Sequence, residues 1–328
     1  MAEKKTGKII HRQVLSEHLA VFRVMPEEGS PFPEYTAGQH MALSRDNCKL
    51  TKKLVDAHGG VKYEYDTDAS GKQKRGTVVH DYSISSAPHE TLEEFYLEFY
   101  IAFEMIDRGV KGRFSESVFN TDSESDDTIS YMNKVAGEFT LDKSAAGFEN
   151  VIMVGTGTGL APFASMMKQV HYDTVRGRGN GTRYTLFHTN RRLEELGYHH
   201  DFLAIQSAKK VDFVYVPSVS RPAQKEYDNA TLGKGRANNI VRHIFNMPMK
   251  EEQDVETAES QGDQTSRLKQ LFQKSTRPML PKHVTTKQLI GRMDPSRSVI
   301  LTCGNPNVMD DIRYIAEMNK IKFVKEEW

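Results

Sequence analysis

Cysteine is nearly missing from this 328-residue chain: Cys48 and Cys303 are the only two. Two thiols cannot build a four-cysteine iron–sulfur cluster or zinc site, and they argue against a secreted disulfide framework, so a reducing compartment is expected. Net charge is missing too, with 44 Lys and Arg balanced by 44 Asp and Glu. No global field draws the chain to nucleic acid or to an anionic membrane, and a charged partner must be met by a local patch. No apolar run is long enough to cross a bilayer, and the opening Met-Ala-Glu-Lys-Lys has no apolar signal core, so the expected location is the cytoplasm. A metal is not expected: His199, His200 and Asp201 are adjacent, point different ways on a helix, and have no third ligand at a suitable spacing. The oligomeric state stays open, with a monomer as the working expectation.

What the chain does have is two grammars. Up to residue 147 it reads as short β-type runs broken by turn residues, among them Leu19–Val24, Gln39–Ser44 and Phe95–Phe103, which predicts an antiparallel β-barrel. A polar insertion at about 45–78 is expected to form a hairpin or mobile loop. Over 148–328 strand and helix alternate: Val151–Val154, Ala161–His171, Tyr184–His188, Asp201–Lys209, Phe213–Val216, Asn238–Phe245, Ser298–Thr302 and Asn307–Asn319. This alternation predicts a two-domain protein whose second part is an α/β doubly wound parallel sheet. Val308, Ile312, Ile315 and Met318 are expected to form the core stripe of the last helix. Another polar stretch, about 249–285, reads as an insertion or mobile lobe on the surface.

The most informative string is Val151-Ile152-Met153-Val154-Gly155-Thr156-Gly157-Thr158-Gly159-Leu160-Ala161-Pro162. An apolar strand runs into three alternating glycines and then a proline suited to a helix's first turn. Glycines let an anion approach the backbone amides, and the helix start points its positive end at the same spot, so a nucleotide phosphate fits. Glycine-rich turns of this kind also occur where a chain only needs a tight bend.

Further motifs stand in a fixed order around it. They are Tyr35-Thr-Ala-Gly-Gln-His40, His80-Asp-Tyr82-Ser83-Ile84-Ser-Ser-Ala-Pro88, the strand residues Tyr100 and Ile101, Gly109-Val-Lys-Gly112-Arg113-Phe114-Ser115, Cys303-Gly304-Asn-Pro306 and the single tryptophan, Trp328. Together they resemble the bacterial ferredoxin/flavodoxin–NADP reductases over most of the chain outside the two insertions. The resemblance implies an FAD-binding barrel domain followed by an NADP-binding domain. Tyr82 would stack on one flavin face and Ser83 would sit by flavin N5, with Ile84, Tyr100 and Ile101 on the neighbouring strands. His80 departs from the family pattern, which has an arginine gripping the pyrophosphate; a neutral imidazole lacks that fork of donors, and Arg113 or Lys111 is the expected substitute. Gly112, Arg113, Phe114 and Ser115 match the turn that offers amides to the FAD pyrophosphate.

For the second nucleotide, Gly157, Thr158, Gly159 and Pro162 would take the pyrophosphate. Thr189, Asn190, Arg191 and Arg192, then Ser220 and Arg221, then Arg236, follow later strands, and arginines gathered there suit a 2'-phosphate, favouring NADP over NAD. By resemblance, Cys303 and Gly304 pack beside the nicotinamide, and Trp328 covers the flavin face opposite Tyr82. Glu326 and Glu327 beside it read more simply as solvated tail charges than as proton donors. The implied activity is electron transfer between NADPH and a separate one-electron carrier, ferredoxin or flavodoxin. An NAD(P)H–flavin or cytochrome reductase on the same scaffold, or a redox-sensing subunit binding FAD and NADP without turnover, remains open.

Overall fold

A computed structural model describes residues 3–27, 30–57, 59–122, 124 and 126–326. The chain separates into two compact units, residues 1–138 and 139–328.

The first unit is built from strands that alternate inward apolar and outward polar side chains. Its elements run β1 (Lys4–Ser16), β2 (Leu19–Pro26), β3 (His40–Lys49), β4 (Thr51–Val55), β5 (Val61–Tyr65), β6 (Arg75–Ser83), α1 (Pro88–Glu94), β7 (Leu97–Ala102), β8 (Met105–Asp107), β9 (Val110–Lys111), α2 (Arg113–Phe119) and β10 (Thr128–Ala136). Six strands form an antiparallel sheet in the order β6-β3-β10-β1-β2-β7. The two ends meet where Ile84 bridges Phe99 and the Ser85 amide donates to the Glu98 carbonyl at 2.8 Å, which curls the sheet into a barrel. Phe22, Met41, Leu43, Ile84, Phe99, Ile101, Phe114 and Tyr131 fill it. The run expected to start a strand at Phe95 starts later: Phe95 is the left-handed cap of α1 (φ 61°), and pairing with β2 begins at Leu97. The 45–78 insertion contains an antiparallel hairpin of β4 and β5. It is tied down, with the Tyr63 amide donating to Asp107 at 2.8 Å and the Lys111 amide to the Tyr65 hydroxyl at 3.3 Å.

In the second unit the strands are continuous apolar runs, the signature of a parallel sheet covered on both faces. Its elements are α3 (Leu141–Ser144), β11 (Asn150–Thr156), α4 (Ala161–Val175), β12 (Arg183–Asn190), α5 (His199–Ala208), β13 (Phe213–Val219), α6 (Gln224–Tyr227), β14 (Gly233–Lys234), α7 (Ala237–Ile244), α8 (Lys250–Gln261), α9 (Ser266–Lys274), α10 (Thr286–Ile290), β15 (Ser298–Cys303), α11 (Pro306–Met318) and β16 (Lys322–Lys325). All pairings are parallel, in the order β14-β13-β12-β11-β15-β16. The chain winds outward from β11 in one direction and then returns to its other side with β15, so the switch point lies between the ends of β11 and β15.

Helices α7 and α11 are joined through a fully buried ion pair. Arg242 Nη2 reaches Asp311 Oδ1 at 2.5 Å and Arg242 Nε reaches Oδ2 at 2.8 Å, with Asn238 donating to the same carboxylate. Within α11, Ile312 and Ile315 join the core, with Val308 packed on it, but Met318 is 62% exposed. Six residues on from Ile312 is well off its face at about 100° per residue, and Ala316 occupies the buried position instead. The 249–285 segment is not structureless: α8 and α9 pack together, and Glu251 of α8 is buried against α7.

Candidate functional site

In the first unit, the β6 motif and the α2 turn meet. The Tyr82 and Phe114 rings lie 5.2 Å apart at 34°, and the exposed His80 ring is 6.0 Å from Phe114. Burial pushes the Tyr82 hydroxyl well above its ordinary range, so it stays neutral. Ser83 follows it into the interior, and its Oγ is buried without a hydrogen-bond partner among the described residues. A buried hydroxyl left unpaired costs about 1–3 kcal/mol, a cost that a polar ligand atom would remove. Ile84, Ile101 and Phe114 point into the barrel core, so they support the site rather than line it with side chains.

The α2 turn is tight. A Cβ on Gly112 would meet Ser115 Oγ at 2.5 Å and Glu104 Cβ at 2.8 Å. The Ser115 hydroxyl accepts from the Glu104 amide at 3.1 Å, and Glu104 Oε2 is 2.9 Å from the same Cβ position. A carboxylate therefore stands at the start of α2, a feature that no motif in the sequence announces. Lys111 is committed to Glu116 at 3.7 Å and lies over Phe103. Arg113 forms no ion pair or hydrogen bond through its side chain among the described residues.

In the second unit, β11 ends in a short 3-10 turn, Gly157–Leu160, leading directly into α4 with Pro162 in its first turn. Gly157 takes φ +58° and Gly304 φ +125°, both in the region that favours glycine. Any Cβ on Gly159 would overlap the Cys303 carbonyl and Gly304 Cα, and the Thr156 hydroxyl accepts from the Asn305 amide at 3.0 Å. The motif glycines and the Cys303-Gly304 turn thus interlock at the switch point, where open α/β sheets take their ligands.

Around this crevice the arginines divide. Arg192 is drawn to the buried Glu226 at 3.2 Å, and Arg236 to Glu251 at 3.2 Å. Burial, which would raise the Glu226 pKa, is outweighed by the Ala223 and Leu193 amides and by Arg192, so that carboxylate stays charged. Arg191 and Arg221 adjoin through a backbone bond of 3.1 Å, and neither guanidinium has a carboxylate among the described residues. Thr189 and Asn190 are spent internally, the first on Ser218 at 2.5 Å and the second on the Glu195 carbonyl at 2.6 Å. Ser220 is held through its carbonyl by the Thr276 hydroxyl at 2.8 Å.

Cys303 is fully buried and its Sγ donates to Glu326 Oε2 at 3.0 Å. Glu326 is not the solvated tail charge expected: it is 4% exposed, because its amide bonds the Thr302 carbonyl and carries it in beside β15. Glu327 and Trp328 lie outside the described residues. His199 does not turn toward a metal cluster, and among the described residues no three His, Cys, Asp or Glu side chains gather as one. It shares the Tyr215 hydroxyl (3.0 Å) with the buried His188 (2.9 Å). Burial, with the neighbouring imidazole adding to it, lowers the pKa of His188 to about 3.

Residues 153–255 match the oxidoreductase NAD-binding domain family. A search of curated proteins found no match. Among solved structures, the chain is similar to a ferredoxin–NADP+ reductase from Neisseria gonorrhoeae with bound FAD and NADP (18% identity, 99% of each chain, TM-score 0.58). It is also similar to the cytochrome b5 reductase domain of Ulva prolifera nitrate reductase (13% identity, 98% of this chain and 97% of that one, TM-score 0.56). A flavohemoglobin from Malassezia yamatoensis aligns over 100% of this chain and 61% of its own, at 10% identity and TM-score 0.59. The two-unit fold is that of these solved structures, and the second unit carries the oxidoreductase NAD-binding domain.

Proposed function

We propose that the protein is an FAD-dependent oxidoreductase that passes electrons between NADPH and a one-electron carrier protein, ferredoxin or flavodoxin. The reading rests on one observation made in both units: an anion-binding turn stands beside polar groups left without partners, Ser83 in the first and Arg191 with Arg221 in the second. FAD, when bound, would supply hydride acceptance at N5 and release of electrons one at a time, chemistry that belongs to the cofactor.

The residues hold and orient. Tyr82 would stack on the isoalloxazine, Ser83 Oγ would offer its hydrogen bond near N5, and the α2 amides from Gly112 to Ser115 would take the pyrophosphate. Arg113 would stand in for the arginine that His80 replaces, and the exposed Glu104 must turn out of the turn to admit an anion. In the second unit the 157–159 amides would hold the other pyrophosphate, and Arg191 and Arg221 the 2'-phosphate. Glu326, by accepting from Cys303 Sγ, fixes the thiol's rotamer where a nicotinamide ring would lie against it.

A cytochrome reductase reading keeps some weight. Two lysines of the 45–78 insertion that could face an acidic carrier are paired within it, Lys52 with Glu64 at 2.9 Å and Lys74 with Asp66 at 3.1 Å. The deciding experiment is anaerobic mixing with NADPH and, separately, NADH while the flavin band is followed, and then titration with ferredoxin, flavodoxin and cytochrome b5. Fast bleaching by NADPH alone, with turnover on ferredoxin or flavodoxin, is expected. No flavin band after added FAD would overturn the reading, and reduction without turnover on any acceptor would favour a redox-sensing role.

A further inference from the structure

We infer that Arg277, carried by the 249–285 insertion, is a specificity-determining residue for a nucleotide 2'-phosphate; this deepens the NADP reading above and rests on it. The insertion does not hang free of the crevice. Its exit segment lies against the sheet edge, with Lys234 and Met279 exchanging backbone hydrogen bonds of 2.8 and 2.9 Å. The Thr276 hydroxyl donates to the Ser220 carbonyl at 2.8 Å, one residue before Arg221. Gly235 is required for this approach: at φ +102°, a Cβ there would meet Pro278 Cα at 3.2 Å and the Thr276 carbonyl at 3.3 Å. Residues 276–278 therefore run alongside 220–221 and 235–236, the loops that follow β13 and β14.

The insertion also rearranges the local charges. Its first helix brings Glu251 to Arg236 at 3.2 Å and to Asn239 at 2.8 Å, which neutralises the arginine opening α7. Its exit then delivers a different arginine. Arg277 is exposed, its guanidinium lies 4.6 Å from the Phe272 ring centroid with Nη1 at 3.5 Å from Met249 Sδ, and it has no carboxylate partner among the described residues. Stacked on an aromatic face and touched by a thioether, the fork is held in place while its donors stay available. One insertion thus withdraws one cation and installs another, on a segment whose backbone runs beside the loop that carries Arg221. A dianionic phosphate needs such donors, and a ribose hydroxyl does not.

The test is calorimetric titration of the full protein with NADP+ and NAD+, which differ only by the 2'-phosphate. Arg277→Ala should weaken NADP+ binding about tenfold and leave NAD+ binding within about twofold, with an unchanged melting temperature because the side chain is exposed. Phe272→Ala, which frees the guanidinium from its stack, should move NADP+ affinity the same way by a smaller factor. If the unaltered protein prefers NADP+, Arg221→Ala removes the preference and Arg277→Ala does not change it, this inference falls while the NADP reading stands. If the unaltered protein binds NADP+ and NAD+ alike, the NADP reading falls and takes the inference with it.

Discussion

The two candidate phosphate turns of this molecule are built on opposite plans. In the second unit the turn after β11 is fixed by backbone: Gly159 lies flat against Cys303 and Gly304, so the amides of the turn keep their position whether or not anything is bound. In the first unit the turn before α2 is fixed by side chains, with the Ser115 hydroxyl holding the Glu104 amide and the Glu104 carboxylate standing at the helix start. A turn locked by backbone is rigid and announces itself as glycines. A turn locked by side chains adjusts, and its tuning residue, Glu104, lies eight positions before Gly112.

The sharpest way to break this contrast is an added methyl group. Gly159→Ala must displace backbone, so we expect about 3 kcal/mol lost, roughly a hundredfold in NADP+ affinity, measured by calorimetry. Gly112→Ala meets mostly side-chain atoms and should weaken FAD by only about tenfold in a dialysis assay, with Gly112→Ala/Ser115→Ala recovering part of the loss. An equal collapse of both sites would refute the distinction.

What lies beneath the turns differs as well. In the second unit His188 is buried neutral, its pKa lowered from 6.5 to about 3 by desolvation. Below pH 6.5 the unfolded chain takes up a proton that the folded chain refuses. This contribution is therefore intact above pH 6.5 and is lost as pH falls toward 3, at about 1.4 kcal/mol per pH unit. Hydrogen exchange of β12 and β13 amides should show at least about 2 kcal/mol of weakening between pH 6.5 and 5, and His188→Gln should reduce that slope, the remainder belonging to His199, whose pKa burial lowers to about 4. A slope unchanged in the variant would remove His188 as the cause.

Smaller effects test the charges. Glu104→Gln removes the carboxylate from the α2 turn and should tighten FAD by about threefold at low salt, less at high salt. Glu251→Gln releases Arg236 and should tighten NADP+ by about twofold. Weaker binding in either variant would mean that the carboxylate supports its site rather than opposing it.

Much of the architecture was legible in the sequence because its signals are local. The run from Val151 to Pro162 holds strand, turn and helix start in sequence order, and it lies where the structure turns from β11 into α4. Burial runs of β12, β13 and β15 likewise needed only composition. The candidate site's local geometry was legible where a motif marks it, as with the neighbouring Tyr82 and buried Ser83, and illegible where long-range pairing sets it. Glu326 looks like a tail charge until β16 carries it in beside Cys303. Arg192 and Arg236 look as available as Arg191 and Arg221 until Glu226 and Glu251 are brought beside them from 34 and 15 residues away. Met318 lies at the edge of the apolar stripe of α11, where Ala316 takes the buried place and leaves it exposed.

The buried pair of Arg242 and Asp311 carries a consequence for how fast and how cleanly a nucleotide can be taken up. Arg242 belongs to the same short helix that begins next to Arg236 and Ala237, and its clamp on α11 allows that helix little room to tilt. A crevice framed this way pays its ordering entropy during folding rather than at each binding event. Nucleotide capture should then proceed in a single kinetic phase whose rate rises linearly with concentration, with no saturating step from a slow rearrangement.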